Sequence, residues 1–214
     1  MDIAVLIKYV PDTTAKISIS GDRVDESSVS KWSISPFDEY ALEAALAMKE
    51  SSGAKVTAIT CGPARSEKGL RDAAAVGADA LAHIVIDDLI SLDSTKIQAL
   101  LANAVKQIGA NVVFCGKQAA DTNSGSTGPG VAELIGAACV TNASEISNDG
   151  DRFSVLRPAG SGSERVSVSA PCVVAFDKTS TELRRPNVKG IMMAKKKPID
   201  SMTPDSLGID VSGS

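Results

Sequence analysis

The chain of 214 residues is 43% hydrophobic and carries a formal net charge of −4. That is enough apolar material for one α/β domain with an appendage rather than two full domains, and the acidic balance excludes nucleic-acid binding by bulk electrostatics. Aromatics make up only 3%, so the core must be built from Ala, Val, Ile and Leu, which suits helices lying close on a parallel sheet.

Asp2 to Lys8 opens the chain as an apolar strand. No secretory signal or spanning helix is read ahead of it, and a cytoplasmic location with no membrane insertion is expected. Pro11 stops the ladder, and the turn Lys8 to Thr14 lacks the glycines of a Walker loop, a dinucleotide fingerprint or a pyrophosphatase-type loop. Lys16 to Ser20 and Arg23 to Asp25, joined by Gly21-Asp22, have the alternation of a small hairpin outside the main sheet. Trp32 to Ser35 is extended because Pro36 disfavours the helical region at the residue before it. Pro36 to Glu50 is the clearest helix, with Ser35 as cap, Pro36 at the first position and Asp38 and Glu39 in the first turn, where the dipole favours acids. Ala41, Leu42, Ala45, Leu46 and Met48 supply its buried stripe. Strand Lys55 to Cys61, closed by Gly62-Pro63, leads to helix Glu67 to Val76, which Gly77 ends. Strand Ala80 to Ile86 and helix Thr95 to Ile108, stopped by Gly109, follow.

The next stretch organises the rest. Asn111 to Cys115 is a buried-strand run, Val131 to Ile135 reads as a helix stopped by Gly136, and between them lies a polar, glycine-bearing loop. A strand feeding through small residues into a helix start leaves backbone N–H groups pointing outward with the positive end of the dipole behind them, a holder for phosphate. Ser126 and Thr127 are the capping hydroxyls nearest that point. The βαβαβαβα order, with right-handed crossovers, predicts a Rossmann-like parallel sheet wound by helices on both faces, with ligands at the carboxyl ends of the strands. Past Gly136, the runs Cys139 to Thr141, Phe153 to Leu156, Arg165 to Ser169 and Cys172 to Phe176 predict a small antiparallel β addition. Thr181 to Ile199 is basic, broken by Pro186 and Gly190 and lacks either period, which predicts a surface loop. Met202 to Ser214 reads as a loose arm.

Among single residues, His83 in an aliphatic strand reads as a core histidine, with no second histidine to share a metal. Cys61, Cys115, Cys139 and Cys172 form no CxxC pair and read as small buried hydrophobes in a reducing compartment. Asp87 and Asp88 are solvated turn formers, while Asp121, inside the glycine loop, is placed to orient a ribose or an amide. No nucleophile–base pair, metal-ligand cluster or pair of catalytic carboxylates emerges by spacing. The residues describe a nucleotide-binding α/β domain with no catalytic or metal site of its own.

Several segments, in order across nearly the whole chain, resemble the β subunits of electron transfer flavoproteins. They are Val10-Pro-Asp-Thr13, Ser35-Pro-Phe-Asp38 before Ala41 to Leu46, Cys61-Gly-Pro63, Leu70-Arg71 with Val76 to Asp79, Gly116-Lys-Gln-Ala119 with Asp121, and Val188 to Lys197. The resemblance implies a heterodimer whose α subunit carries most of the redox FAD, with this chain closing over that flavin, binding AMP as a structural ligand and receiving electrons from an acyl-CoA or related dehydrogenase. It carries the AMP contacts onto Leu6, Ser35, Pro36, Phe37, Asp38, Cys61, Gly116, Lys117, Gln118, Ala119, Asp121, Asn123, Ser124, Gly125, Ser126 and Thr127. It carries partner docking onto Arg184, Arg185, Val188, Ile191 and Met192, with Val188 as the apolar anchor. The implied division is an adenine-nucleotide-binding domain over residues 1–183, then a docking loop and arm over 184–214.

Departures from the family pattern are informative. Ser35 stands where Asn is usual, and Val188 replaces the commoner Leu, a loss of about 0.8 kcal/mol for one methylene. Asp121 to Gly128 matches neither the Asn-Gln-Thr-Gly form of AMP-binding members nor the Thr-Ala-Gln-Val-Gly form of bifurcating members. Thr127 before Gly128 favours AMP. Val10 to Thr13 and Asp38-x-Tyr40 resemble the bifurcating group, whose β pocket holds a second FAD that oxidises NADH. A stand-alone adenine-nucleotide module is the third reading. Against the family pattern the chain is expected to lack the C-terminal arm with which many members wrap the α subunit, which implies a smaller or different interface with that partner.

Overall fold

A computed structural model describes residues 1–212. The elements in order are β1 (Asp2–Leu6), β2 (Tyr9–Pro11), β3 (Ile19–Ser20), β4 (Arg23–Val24), β5 (Trp32–Ile34), α1 (Pro36–Ser52), β6 (Lys55–Gly62), α2 (Glu67–Val76), β7 (Ala80–Val85), α3 (Ser94–Ile108) and β8 (Val112–Gly116). They continue as α4 (Thr127–Ile135), β9 (Ala138–Ala143), β10 (Glu145–Asp149), β11 (Arg152–Ala159), β12 (Gly162–Ser169), β13 (Cys172–Phe176), α5 (Val188–Lys196) and β14 (Asp200–Met202). Seven strands form one all-parallel sheet in the order β14-β7-β6-β1-β8-β13-β9. Hence the doubly wound α/β class holds, with the strand order reversing between β1 and β8.

Strand alternation sorts the core into two layers. Ile3, Val5, Val56, Ala58, Val112 and Phe114 point to the side covered by α1 and α2 through Ala41, Leu42, Leu46, Leu70 and Ala73. Ala4, Leu6, Ile59, Val113 and Cys115 point to the side covered by α3 and α4 through Leu100, Leu101, Val105, Val131 and Ala132. Because both faces are covered, the strands are almost wholly apolar, as a buried parallel sheet requires. Phe114 and Phe176 meet edge to face at 5.1 Å, giving the aromatic-poor core its one large pair among the described residues.

Three expectations are corrected. Residues 138–143 and 172–176 are not part of the antiparallel addition; β9 and β13 extend the parallel sheet, and only β10, β11 and β12 form the antiparallel unit. The signal was in Cys172–Phe176 itself, buried throughout, since a continuous apolar run marks a strand covered on both faces. The surface loop over Thr181 to Ile199 contains helix α5, whose N-cap Asn187 accepts a hydrogen bond from the Gly190 N–H at 2.7 Å. The expected loose arm begins with an edge strand, for Met202 ends β14 paired with β7 and is 2% exposed, and Leu207 is also buried. Its last residues, 213 and 214, lie outside the described residues.

Candidate functional site

The carboxyl ends of β1, β6 and β8 open into a cavity of about 250 Å³ at the point where the strand order reverses, where open α/β sheets place ligands. Leu6, Asp38, Cys61, Gly116, Lys117, Gln118, Ala119, Ser124, Gly125 and Thr127, all expected from the sequence, line it. The chain also supplies a wall that sequence reading missed: Leu89, Leu92, Ile97 and Leu101. The spacing of Ile97 and Leu101 on α3 was visible as a helix stripe, but nothing in it told that this stripe turns over the strand ends. A roomier groove of about 590 Å³ between α1 and β10 has no glycine loop beside it.

Asp38 ties the floor together. Its carboxylate accepts the N–H of Lys8, just past β1, at 2.9 Å and that of Gly116, at the end of β8, at 2.8 Å. Burial pushes its carboxyl up to about 7, against the pull of those two N–H bonds. Gly116 is required here because a Cβ would lie 2.6 Å from the Phe37 Cβ and 2.8 Å from the Asp38 nitrogen. Lys8 reaches across the mouth to Asp121 at 2.6 Å. Lys117 pairs with Asp177 at 2.9 Å and stands 4.9 Å over the Phe37 ring.

The remaining expected contacts hold the loop without lining the cavity. Ser35 is fully buried at the N-cap of α1, makes no side-chain capping bond there, and its hydroxyl instead accepts the Ala120 N–H at 3.2 Å. The shorter residue in the usual Asn position therefore fastens the glycine loop. Pro36 and Phe37 begin α1. Asn123 takes a left-handed φ of 53° and accepts from Gln118 at 3.0 Å. Gly125, which does line the cavity, is also left-handed, at 68°.

From Ser124 to Gly128, five successive backbone N–H groups have no protein acceptor among the described residues. Ser126 sits at the N-cap of α4 with no side-chain capping bond, and its hydroxyl is buried without a partner among those residues. Gly128 allows the helix to start tight against β8, since a Cβ there would lie 2.9 Å from the Cys115 sulfur. A run of free amides at a helix N-terminus, with hydroxyls beside it, is the donor set a phosphate needs. Beside it, the leucine and isoleucine wall suits an apolar ring. Neither cysteine of the cavity is an activated nucleophile: burial pushes the Cys61 thiol up to about 12 and the Cys115 thiol up further. No group of His, Cys, Asp and Glu among the described residues is placed to hold a metal. His83 is a core residue as expected, its Nε2 2.8 Å from the Gly62 carbonyl. Cys61, Cys115 and Cys172 are buried as expected, but Cys139, on the edge strand β9, is exposed.

The second expected site is on α5. Val188, Ile191, Met192 and Met193 are 75%, 42%, 62% and 61% exposed, beside exposed Arg185, Lys189, Lys195 and Lys196. Arg184 is placed differently. Its guanidinium pairs with Glu43 at 2.8 Å and Glu50 at 2.7 Å, so it straps the segment to α1. No helix of the described residues is long and apolar enough to cross a membrane.

Comparison with known proteins accords with this geometry. The family described as electron transfer flavoprotein domain matches residues 25–207. The electron transfer flavoprotein subunit beta of Bacillus subtilis (strain 168) is 34% identical over 211 residues, covering 98% of this chain and 82% of that protein. The human subunit beta is 33% identical over 214 residues, 98% of this chain and 84% of its own length. The mitochondrial subunit beta of Oryza sativa subsp. japonica is 36% identical over 219 residues, with 99% and 85% covered. On this near full-length similarity, the chain belongs to the electron transfer flavoprotein family, as a β subunit.

Proposed function

We propose that this β subunit binds AMP as a structural ligand in the cradle between β8 and α4, pairs with an α subunit and helps enclose the FAD held chiefly by that partner. The single observation that carries the reading is the run of unpaired amides from Ser124 to Gly128 leading into α4 beside an apolar wall. Ser126 and Thr127 would contribute hydroxyls to the phosphate, and the wall of Leu89, Leu92, Ile97 and Leu101 would face the base. Thr127 before Gly128, whose hydroxyl would meet a terminal phosphate, supports a mononucleotide over a second FAD. AMP supplies no chemistry of its own, and the electron-carrying chemistry belongs to the flavin.

In this reading residues 1–183 house the nucleotide, and residues 184–214 supply the docking segment through which flavin dehydrogenases of the acyl-CoA class pass electrons. Val188, the most exposed of the α5 apolar side chains, is the anchor. The subunit acts as a carrier and makes or breaks no bond itself. Its free, unpaired cysteines suit a reducing compartment such as the cytoplasm. The test is to denature the purified heterodimer and identify the released nucleotides by mass. One AMP and one FAD per heterodimer are expected. Two FAD and no AMP would replace this reading with the bifurcating one, and no nucleotide in the β pocket would end it.

A further inference from the structure

The apolar surface of α5 stands on a helix of nine residues, Val188–Lys196, too short to be stable in water by itself. Its fold must come from its neighbour α2, and the contacts are specific. At Gly190 the two helices approach so closely that a Cβ would lie 2.3 Å from the Ala75 carbonyl oxygen. Arg71, on α2, donates from Nη1 to the Ala194 carbonyl at 2.9 Å, which also accepts the Lys197 N–H at 3.2 Å, and to the Lys197 carbonyl, closing the carboxyl end of α5. Lys197 donates to the Asp79 carbonyl at 2.9 Å, fixing the exit from the helix. At the other end, Asn187 caps the first turn. Ala194, facing α2, is 2% exposed, while Val188, Ile191, Met192 and Met193 face outward.

Resting on the docking role proposed above, we propose that α5 is a preformed docking helix whose pose is set by Arg71 and Gly190, positioning residues that the dehydrogenase does not touch. The partner it fits is a flavin dehydrogenase with an apolar pocket rimmed by carboxylates. The stretch Arg184 to Lys197 contains five basic residues besides Arg184 itself and no acid, and Arg184 is already paired with α1. A preformed helix loses little conformational freedom on docking, so loosening it raises the cost of association without altering the flavin.

The test uses the intact heterodimer. Wild type, Arg71→Ala, Gly190→Ala and Val188→Asp are compared as electron acceptors from an acyl-CoA dehydrogenase whose turnover the wild type supports, alongside amide hydrogen exchange over residues 188–196. The expected result is protected α5 amides in the wild type and at least tenfold faster exchange in Arg71→Ala and Gly190→Ala. KM for the heterodimer rises at least fivefold in both, with kcat and nucleotide content unchanged. Val188→Asp should raise KM while leaving exchange as in wild type, which separates a lost contact from a loosened helix. If Val188→Asp leaves KM unaltered, the docking role itself fails. If it raises KM but the other two variants do not, or if the wild-type α5 amides exchange freely, the pose-setting role of Arg71 and Gly190 is overturned while docking stands. Should Gly190→Ala fail to assemble, Arg71→Ala, which introduces no clash, decides the matter alone.

Discussion

Asp38 offers the sharpest quantitative test of the site. Its carboxyl is buried, bridges the ends of β1 and β8 through the Lys8 and Gly116 N–H groups, and is pushed up to about 7. In the unfolded chain an aspartate titrates near 3.9. The folded state therefore keeps this proton over a range where the unfolded state has lost it. The resulting stabilisation is fully present below the unfolded pKa and is lost as pH rises through the folded one. Between pH 5.5 and pH 8 the loss is about 2 kcal/mol, from 1.36 kcal/mol per unit acting over roughly one and a half units. Asp38→Asn keeps the shape but offers one acceptor oxygen where the native group offers two. One of the two backbone N–H groups then faces an NH₂, at a cost of about 1–3 kcal/mol that does not depend on pH. Urea unfolding followed by far-UV circular dichroism at pH 5.5 and pH 8.0 gives the difference between wild type and variant at each pH. That difference should shrink by about 2 kcal/mol at the higher pH. Glu39 in the same turn is also raised, by burial first and by Asp12 and Asp72 next, but it is present in both proteins and cancels. An unchanged difference at the two pH values would mean that Asp38 is ionised throughout, and the account of a dry floor beneath the cradle would be wrong.

Other outcomes follow from the same geometry. Gly116→Ala forces a Cβ to within 2.6 Å of Phe37 and 2.8 Å of the Asp38 nitrogen. It should cost about 1–3 kcal/mol in urea unfolding, and the purified protein should lose its nucleotide. Arg184→Ala leaves Glu43, 8% exposed, without its cation, and should destabilise by about 1–3 kcal/mol while nucleotide content by mass stays as in wild type. Val188→Asp places a charge where an apolar side chain would be buried on docking, so KM for a dehydrogenase should rise about tenfold or more in steady-state assays with no change in unfolding midpoint.

What the amino-acid sequence determined alone was set by local chemistry. Proline at the first position of α1, glycine after α1, α2, α3 and α4, and the unbroken apolar runs fixed most elements to within a residue or two, because caps and periodicity act within one or two turns of chain. The glycine loop before α4 was legible for the same reason: its free amides follow from a strand meeting a helix through small residues. Tertiary structure decided what depends on distant partners. α5 is too short to hold itself and stays helical because α2 offers Arg71 and a carbonyl that only glycine can approach. β9, β13 and β14 took their places in the parallel sheet by pairing with strands remote in sequence, as Met202 shows by burying beside β7. The wall of Leu89, Leu92, Ile97 and Leu101 closes the cavity only because α3 packs over the sheet at the ends of β1 and β8. The Ser35 hydroxyl fastens the loop through a partner found only in space, 85 residues along the chain.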